Sequence, residues 1–405
     1  MPPRKPNSPD RVTSKSRSQA PERGLKAASD RLILAAAAEL EGPRVLVVLL
    51  HGTTLASALR EARPDLQFIF YTPEHFFSRT LRSFHDDETG PDGCRIVCAA
   101  EPPPGPWDSV VFPTFAGDPS EAAQELFQTL HTQLKTGGRL FVSTNNPRDR
   151  WIQAQLRPLF HPVEVRKLPR GVLCIATRTT PLRKLRGFHA RFGFRHHDRV
   201  LVCETRPGVF SHRRLDGGAR ALIRSLDLIA QQIASGSFPQ PARIIEMGSG
   251  SGAVSLAAAC SFPSADVLAV DSDARAVAAT ARSAELNQIS NVRTLLSSEG
   301  ASENPGTWDL LLGNPPYYSD FRIAELFLQT ARRQLRPGGR IHVVSKPVDW
   351  QLARMKQLFT NVEQHSFGDY FVFTAVRGTA AARASQSEAP VVTPASAAFA
   401  LPHGD

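Results

Sequence analysis

An acid, three glycines in alternation and a second acid mark the part of the chain best equipped for chemistry. Ile244-Ile245-Glu246-Met247 is an apolar run that leads into Gly248-Ser249-Gly250-Ser251-Gly252, with a helical stretch predicted over Ala253–Cys260. Glycines let a backbone approach a ligand closely, and the helix beyond them offers unpaired N–H groups at its start. Asp271 stands nineteen residues after Gly252, at the end of the next apolar run, Ala-Asp-Val-Leu-Ala-Val. A carboxylate placed there accepts both hydroxyls of a ribose. Strand, glycine loop, helix, strand and acid together predict a nucleoside-binding site at the carboxyl edge of a sheet.

The turn alone does not choose the nucleoside, because nicotinamide and flavin enzymes use similar loops. Glu246 is placed to face a cationic amino group. Asn314-Pro315-Pro316-Tyr317 comes after the fourth apolar run, where a side-chain amide and a proline carbonyl could accept the two N–H bonds of a flat amine. Both features point to S-adenosyl-L-methionine as cofactor. The cofactor-binding set is then Glu246, Gly248, Ser249, Gly250, Gly252, Asp271, Ser272, Ser298 and Asn314. The catalytic set is Asn314, Pro315, Pro316 and Tyr317. His342, within the predicted strand Arg340–Val344, reads as structural, and Lys346, just after it, as a phosphate contact.

These residues require strands and helices in alternation, and the chain supplies them twice. Around Trp107 it reads PWDSVVFPTF, then QELFQTLHTQLK, then TGGRLFVST. Around Trp308 it reads TWDLLLGNPPYY, then AELFLQTARRQL, then RPGGRIHVVS. The spacing from Trp107 to Gly137 equals that from Trp308 to Gly338, 30 residues in each. Apolar runs predict strands at Arg44–Leu50, Gln67–Tyr71, Cys94–Cys98, Ser109–Phe112, Arg139–Ser143 and Gly171–Thr177. They recur at Arg243–Met247, Asp266–Val270, Val292–Leu296, Leu310–Leu312, Arg340–Val344 and Tyr370–Val376. Continuous apolar strands separated by helices indicate mostly parallel sheets covered on both faces. The first copy has lost the chemistry. Val47 stands where Glu246 does, Thr72 where Asp271 does, and Pro113-Thr114-Phe115 replaces Asn314-Pro315-Pro316.

The second copy resembles the class I methyltransferases that act on planar amino groups, whose signature is (N/D)PP(Y/F). Pro207-Gly208-Val209-Phe210-Ser211 and Leu215-Asp216-Gly217-Gly218 narrow the resemblance to the ribosomal RNA guanine-N2 methyltransferases, of the small-subunit methyltransferase C and large-subunit methyltransferase G type. That family has tandem domains, the first degenerate. The resemblance implies two Rossmann-like α/β domains with seven-stranded sheets and methylation of the guanine N2 amine in ribosomal RNA. Two departures stand out. The family's NPPF is followed by His, where this chain has Tyr317 and Tyr318. The third strand ends in Ser297-Ser298-Glu299 rather than in the usual adenine-binding acid or Asn. NPPY also serves methylation of adenine N6 and of protein glutamine N5, and a non-catalytic RNA-binding or ribosome-assembly factor is the reading from another class.

Charge and composition set the wider frame. The chain has 405 residues, a formal charge of +10 and 41% hydrophobic content, which excludes a wholly disordered or fibrous protein. The expected organisation is a disordered basic arm over 1–30, a degenerate methyltransferase-like domain over 31–178, a basic linker over 179–200, the catalytic domain over 201–377 and a disordered tail over 378–405. Between Val165 and Arg199 stand ten Lys or Arg against Asp198 alone, with Phe188, Phe192 and Phe194 interleaved. Such a patch neutralises phosphates, and Arg183, Lys184, Arg186, Arg191, Arg195 and Lys346 are the expected RNA contacts. The partner is then ribosomal RNA or a ribosomal subunit, met by a monomer. No apolar run approaches the ~20 residues that span a bilayer, and the N-terminus lacks the apolar core of a signal peptide, so a cytoplasmic location is expected. The five cysteines form no CxxC pair and suggest no metal.

Overall fold

A computed structural model of the chain describes residues 27–84, 94–300, 304–316, 321–346 and 348–378. Most of the expected basic arm, nearly all of the expected tail, and Tyr317 and Tyr318 lie outside the described residues. The described residues fall into two compact units. One holds residues up to 190 with 205–212 and 272–278; the other holds 191–204, 213–271 and the residues from 279 onward.

The first unit contains strands β1 (Arg44–Val48), β2 (Gln67–Thr72), β3 (Arg95–Cys98), β4 (Trp107–Thr114), β5 (Leu134–Thr144), β6 (Val163–Leu168) and β7 (Gly171–Thr177) in the order β3-β2-β1-β4-β5-β7-β6. A two-stranded hairpin comes next, β8 (Ala190–His196) with β9 (Arg199–Thr205). The second unit's sheet is β10 (Arg243–Met247), β11 (Asp266–Asp271), β12 (Val292–Leu296), β13 (Trp308–Gly313), β14 (Leu335–Ser345), β15 (Thr360–Phe367) and β16 (Tyr370–Val376), in the order β12-β11-β10-β13-β14-β16-β15. The two orders are identical. In both, the first five strands in the order are parallel, and the sixth, β7 or β16, runs antiparallel to both of its neighbours. The tandem α/β architecture is therefore as expected.

Apolar residues on both faces of the central strands explain the double cover. Ile244, Val267, Leu310 and Leu312 belong to the core beneath the helix Ala253–Ser261. Their neighbours Ile245, Leu268 and Leu311 join the opposite core, under the helix Arg322–Gln334.

The residues that repeat between the units hold the edge of each sheet opposite to the glycine loop. Asp108 accepts from the Arg44 backbone N–H at 3.0 Å, and Asp309 accepts from that of Arg243 at 2.9 Å. Lys135 pairs with Asp108 and Arg336 with Asp309. The Arg44 and Arg243 guanidinium groups each stack 4.7 Å from the ring centre of Trp107 and Trp308.

Three expectations need correction. The stretch expected as a linker contributes all of β8 and the start of β9, because Arg191, Gly193 and Arg195 face solvent while Phe192 and Phe194 pack on the core of the second unit. The first helix among the described residues, Ala28–Ala35, begins inside the stretch expected to be a disordered arm. The ten bases do not form one free patch. Arg166 pairs with Glu39 and Glu164, and Arg178 donates to the Leu134 carbonyl as Arg377 does to Leu335. Arg191 pairs with Glu204 at 2.8 Å.

Candidate active site

Strand register sets the site. Met247 of β10 lies opposite Val270 of β11 and Gly313 of β13. One step further along the chain come Gly248, Asp271 and Asn314. These three therefore emerge side by side at the carboxyl edge of three adjacent strands, about 4.8 Å apart from strand to strand. This is where ligands bind in open α/β sheets.

The loop between β10 and the helix Ala253–Ser261 is wound by its glycines. Gly248, Gly250 and Gly252 have φ of 77°, 54° and 87°, a left-handed region in which a side chain would be strained. The Gly250 N–H donates to Asp271 Oδ2 at 2.9 Å, which ties the loop to the second acid. Thr280 Oγ1 donates to Ser249 Oγ at 3.0 Å and braces the loop from the next helix. A Cβ on Gly252 would stand 3.0 Å from the Thr280 methyl, so that bracing also depends on glycine.

Glu246 is buried, and the hydroxyl of Ser255 donates to its carboxylate. Burial pushes its carboxyl up to about 8, opposed by the Ser255 hydrogen bonds and reinforced by Asp271. An acid in that state is a latent anion, ready to ionise when a cation arrives.

Asn314 is held by a residue outside the expected site sets. Its Nδ2 donates to Asp216 Oδ2 at 3.0 Å, across 98 residues of chain. Asp216 also caps the helix Gly217–Arg224, accepting from the Ala219 N–H at 3.1 Å. A carboxylate only accepts, so the amide nitrogen must face Asp216, and Oδ1 is the atom left to accept from a substrate. Gly218 permits the approach: a Cβ there would lie 2.7 Å from Asn314 Oδ1. The signal was present as an Asp one residue before a helix start, the usual N-cap pattern. The long-range pairing had no signal in the sequence.

Other expected residues are placed as follows. Pro315 is buried and Pro316 half-buried beside Asn314. Ser272 groups with the first unit, and its hydroxyl donates to Glu74 at 3.2 Å. Ser298 lies beyond β12, one residue past Ser297, whose N–H donates to the Asp271 carbonyl. Lys346 lies over the Tyr370 ring, 4.8 Å from its centre. His342 is fully buried, with Nδ1 2.9 Å from Ser225 Oγ, and burial pushes it down to about 3, which suits a structural role. Arg183 and Lys184 are exposed in the first unit, where the Arg186 guanidinium covers Phe188 at 4.9 Å. Arg195 is exposed on β8. Among the described residues, no cluster of metal-ligating groups occurs and no helix is long and apolar enough to cross a membrane.

Residues 201–374, which contain the whole of this site, match the family model described as Methyltransferase small domain. That match lies within the C-terminal half of the chain. Over 159 residues it is 32% identical to the ribosomal RNA small subunit methyltransferase C of Pseudomonas entomophila, an alignment covering 38% of this chain and 44% of that protein. The chain thus spans less than half the length of that relative. A longer match joins it to the ribosomal RNA large subunit methyltransferase G of Streptomyces coelicolor, 27% identical over 83% of this chain and 89% of the relative. The T. thermophilus 16S rRNA N2 G1207 methyltransferase, solved in complex with AdoMet and guanosine, shares the fold. Its TM-score is 0.73, with 22% identity, over 88% of this chain and 93% of that one.

Proposed function

We propose that the methyltransferase small domain of this chain transfers a methyl group from S-adenosyl-L-methionine to the N2 amine of a guanine in ribosomal RNA. The observation that carries this is the Asn314 amide, fixed by Asp216 at the strand end beside the glycine loop. The chain's own residues fit the cofactor. Glu246 offers a buried carboxyl to its ammonium group, the Gly248–Gly252 loop leaves room for its backbone to approach, and Asp271 stands at the ribose position. When bound, S-adenosyl-L-methionine supplies a methyl already activated by its sulfonium.

The nucleophile is the harder partner, because an exocyclic purine amine shares its lone pair with the ring. Asn314 Oδ1 and the Pro315 carbonyl accept its two N–H bonds and turn the lone pair out of conjugation. These dipoles also face the positive charge that grows on nitrogen. Catalysis then rests on positioning and preorganised dipoles. The target base is single-stranded or extruded, since its amine is otherwise paired. Guanine and ribosomal RNA are supported by the names of the relatives and by the guanosine in the T. thermophilus complex. A monomer acting in the cytoplasm on ribosomal RNA or a ribosomal subunit completes the reading.

Labelling decides it. Tritiated methyl donor, offered with ribosomal RNA, ribosomal subunits or protein, should yield N2-methylguanosine on nucleoside analysis. N6-methyladenosine or labelled glutamine would redirect the acceptor, and no label anywhere would favour the non-catalytic reading. Asn314→Ala should lose at least about 10²-fold in transfer while calorimetry finds cofactor affinity kept.

A further inference from the structure

Beside the site, and wholly within the second unit, the hairpin and the helix Gly217–Arg224 enclose a cavity of about 490 Å³. It is lined by Phe192, Phe194 and Arg195 of β8, by Arg213, Arg214 and Leu215 before the helix, and by Arg220, Ile223 and Arg224 on it. The floor is apolar. Phe192, Phe194 and Leu215 are half-buried against the core to which Ile223 belongs. The rim carries five exposed arginines brought together from three separate stretches of chain, and no carboxylate is among the lining residues. Guanidinium groups converging on one cavity repel each other, and a bound anion relieves that repulsion. Aromatic rings beneath a cationic rim are the means by which single-stranded nucleic acid is held, bases on the rings and phosphates on the arginines. The cavity adjoins the catalytic amide through the chain itself, for Leu215 lines it and Asp216 holds Asn314.

We propose that this cleft binds the single-stranded RNA flanking the target base, with phosphates on Arg195, Arg220 and Arg224 and a base against Phe192. That the RNA continues into the methylation site rests on the functional reading above; the cleft's affinity for RNA does not. Of the expected RNA contacts only Arg195 belongs here, and the arginines on and before the helix are the larger part of the surface.

The test uses the full chain and a short fluorescein-labelled single-stranded RNA, titrated at several salt concentrations. The triple variant R195A/R220A/R224A should lose at least about tenfold in affinity. The slope of log K against log salt should shrink by about two, since each phosphate on a single strand contributes about 0.7. R195K/R220K/R224K should restore the slope. Phe192→Leu, which keeps apolar bulk without a ring, should weaken binding at least about fivefold with the slope intact. Calorimetry with S-adenosyl-L-methionine should give the same affinity for all variants. Unchanged RNA affinity and slope in the alanine triple would overturn the proposal. So would a loss confined to assembled ribosomal subunits, which would assign the cleft to an acidic protein. If the wild-type chain methylates no RNA, the functional reading fails, while the titration still reports on the cleft.

Discussion

In the proposed reaction Asn314 is useful only in one orientation, and Asp216 supplies it. With Nδ2 committed to the carboxylate, Oδ1 accepts; with Asp216 removed, the amide can rotate and present a donor to an amine that also donates. Asp216→Ala should therefore lower kcat by about 10²-fold with cofactor affinity kept, measured by single-turnover transfer and calorimetry. Glu246 gives a pH signature. Its folded carboxyl titrates near 8, above its ordinary value of 4.5, so the folded chain holds the proton more tightly than the unfolded one. The stability this contributes is present at low pH and is lost as pH rises from about 4.5 to about 8. Urea midpoints should fall across that window, and Glu246→Gln should flatten the fall. A cationic cofactor favours the carboxylate, so its binding should release a proton below about pH 8 and tighten as pH rises to that value. Calorimetry in buffers of unlike ionisation heat reads both effects.

At the scale of elements, the helix Gly217–Arg224 joins stability to function at one residue. Gly218 lies in the first turn, where alanine is the better helix former by about 1 kcal/mol. Its Cβ would nevertheless displace the ends of Asn314 and Asp216, at 2.7 and 2.9 Å. Gly218→Ala should keep or raise the melting temperature while transfer falls about tenfold or more, a split that a folding defect would not produce. The first unit has a counterpart helix, Ala28–Ala35, packed on β5 and β7 as Gly217–Arg224 packs on β14 and β16. Its N-cap is Ala27, with no side-chain cap, and the strand position of Asn314 is Pro113. Holder and held residue are both missing there. The features that recur between the units are the Trp-Asp pair and the Gly-Gly-Arg turn, and these join strands at the edge opposite to the glycine loop. The duplication preserves the scaffold, while the two acids, the glycine loop and the amide occur in one copy.

For the molecule as a whole, this predicts one cofactor per chain. Val47 and Thr72 are buried in the first unit at the positions of Glu246 and Asp271. Calorimetric titration of the full chain should saturate at a stoichiometry of one, and Glu246→Lys, which puts a cation where the ammonium group would lie, should abolish all binding heat. The sheets, the glycine loop, Asp271 and the Asn-Pro-Pro turn could be read directly, because buried parallel strands write continuous apolar runs and their carboxyl ends locate the βα turns. Strands β6 and β15 escaped that reading: both lie at a sheet edge, and their residues are largely exposed or half-buried, so neither shows such a run. The hairpin was hidden for a related reason, its exposed face being as basic as a linker. Sequence by itself determined two α/β units and which of them kept the acids, glycines and amide, since these arise from local pattern and repeat. Only the tertiary structure decided that Asp216 grips Asn314, that several bases of the basic run are engaged by carboxylates and carbonyls, and that five arginines from three stretches meet over two phenylalanines. Those outcomes depend on contacts between residues far apart in the chain, and no local periodicity encodes such contacts.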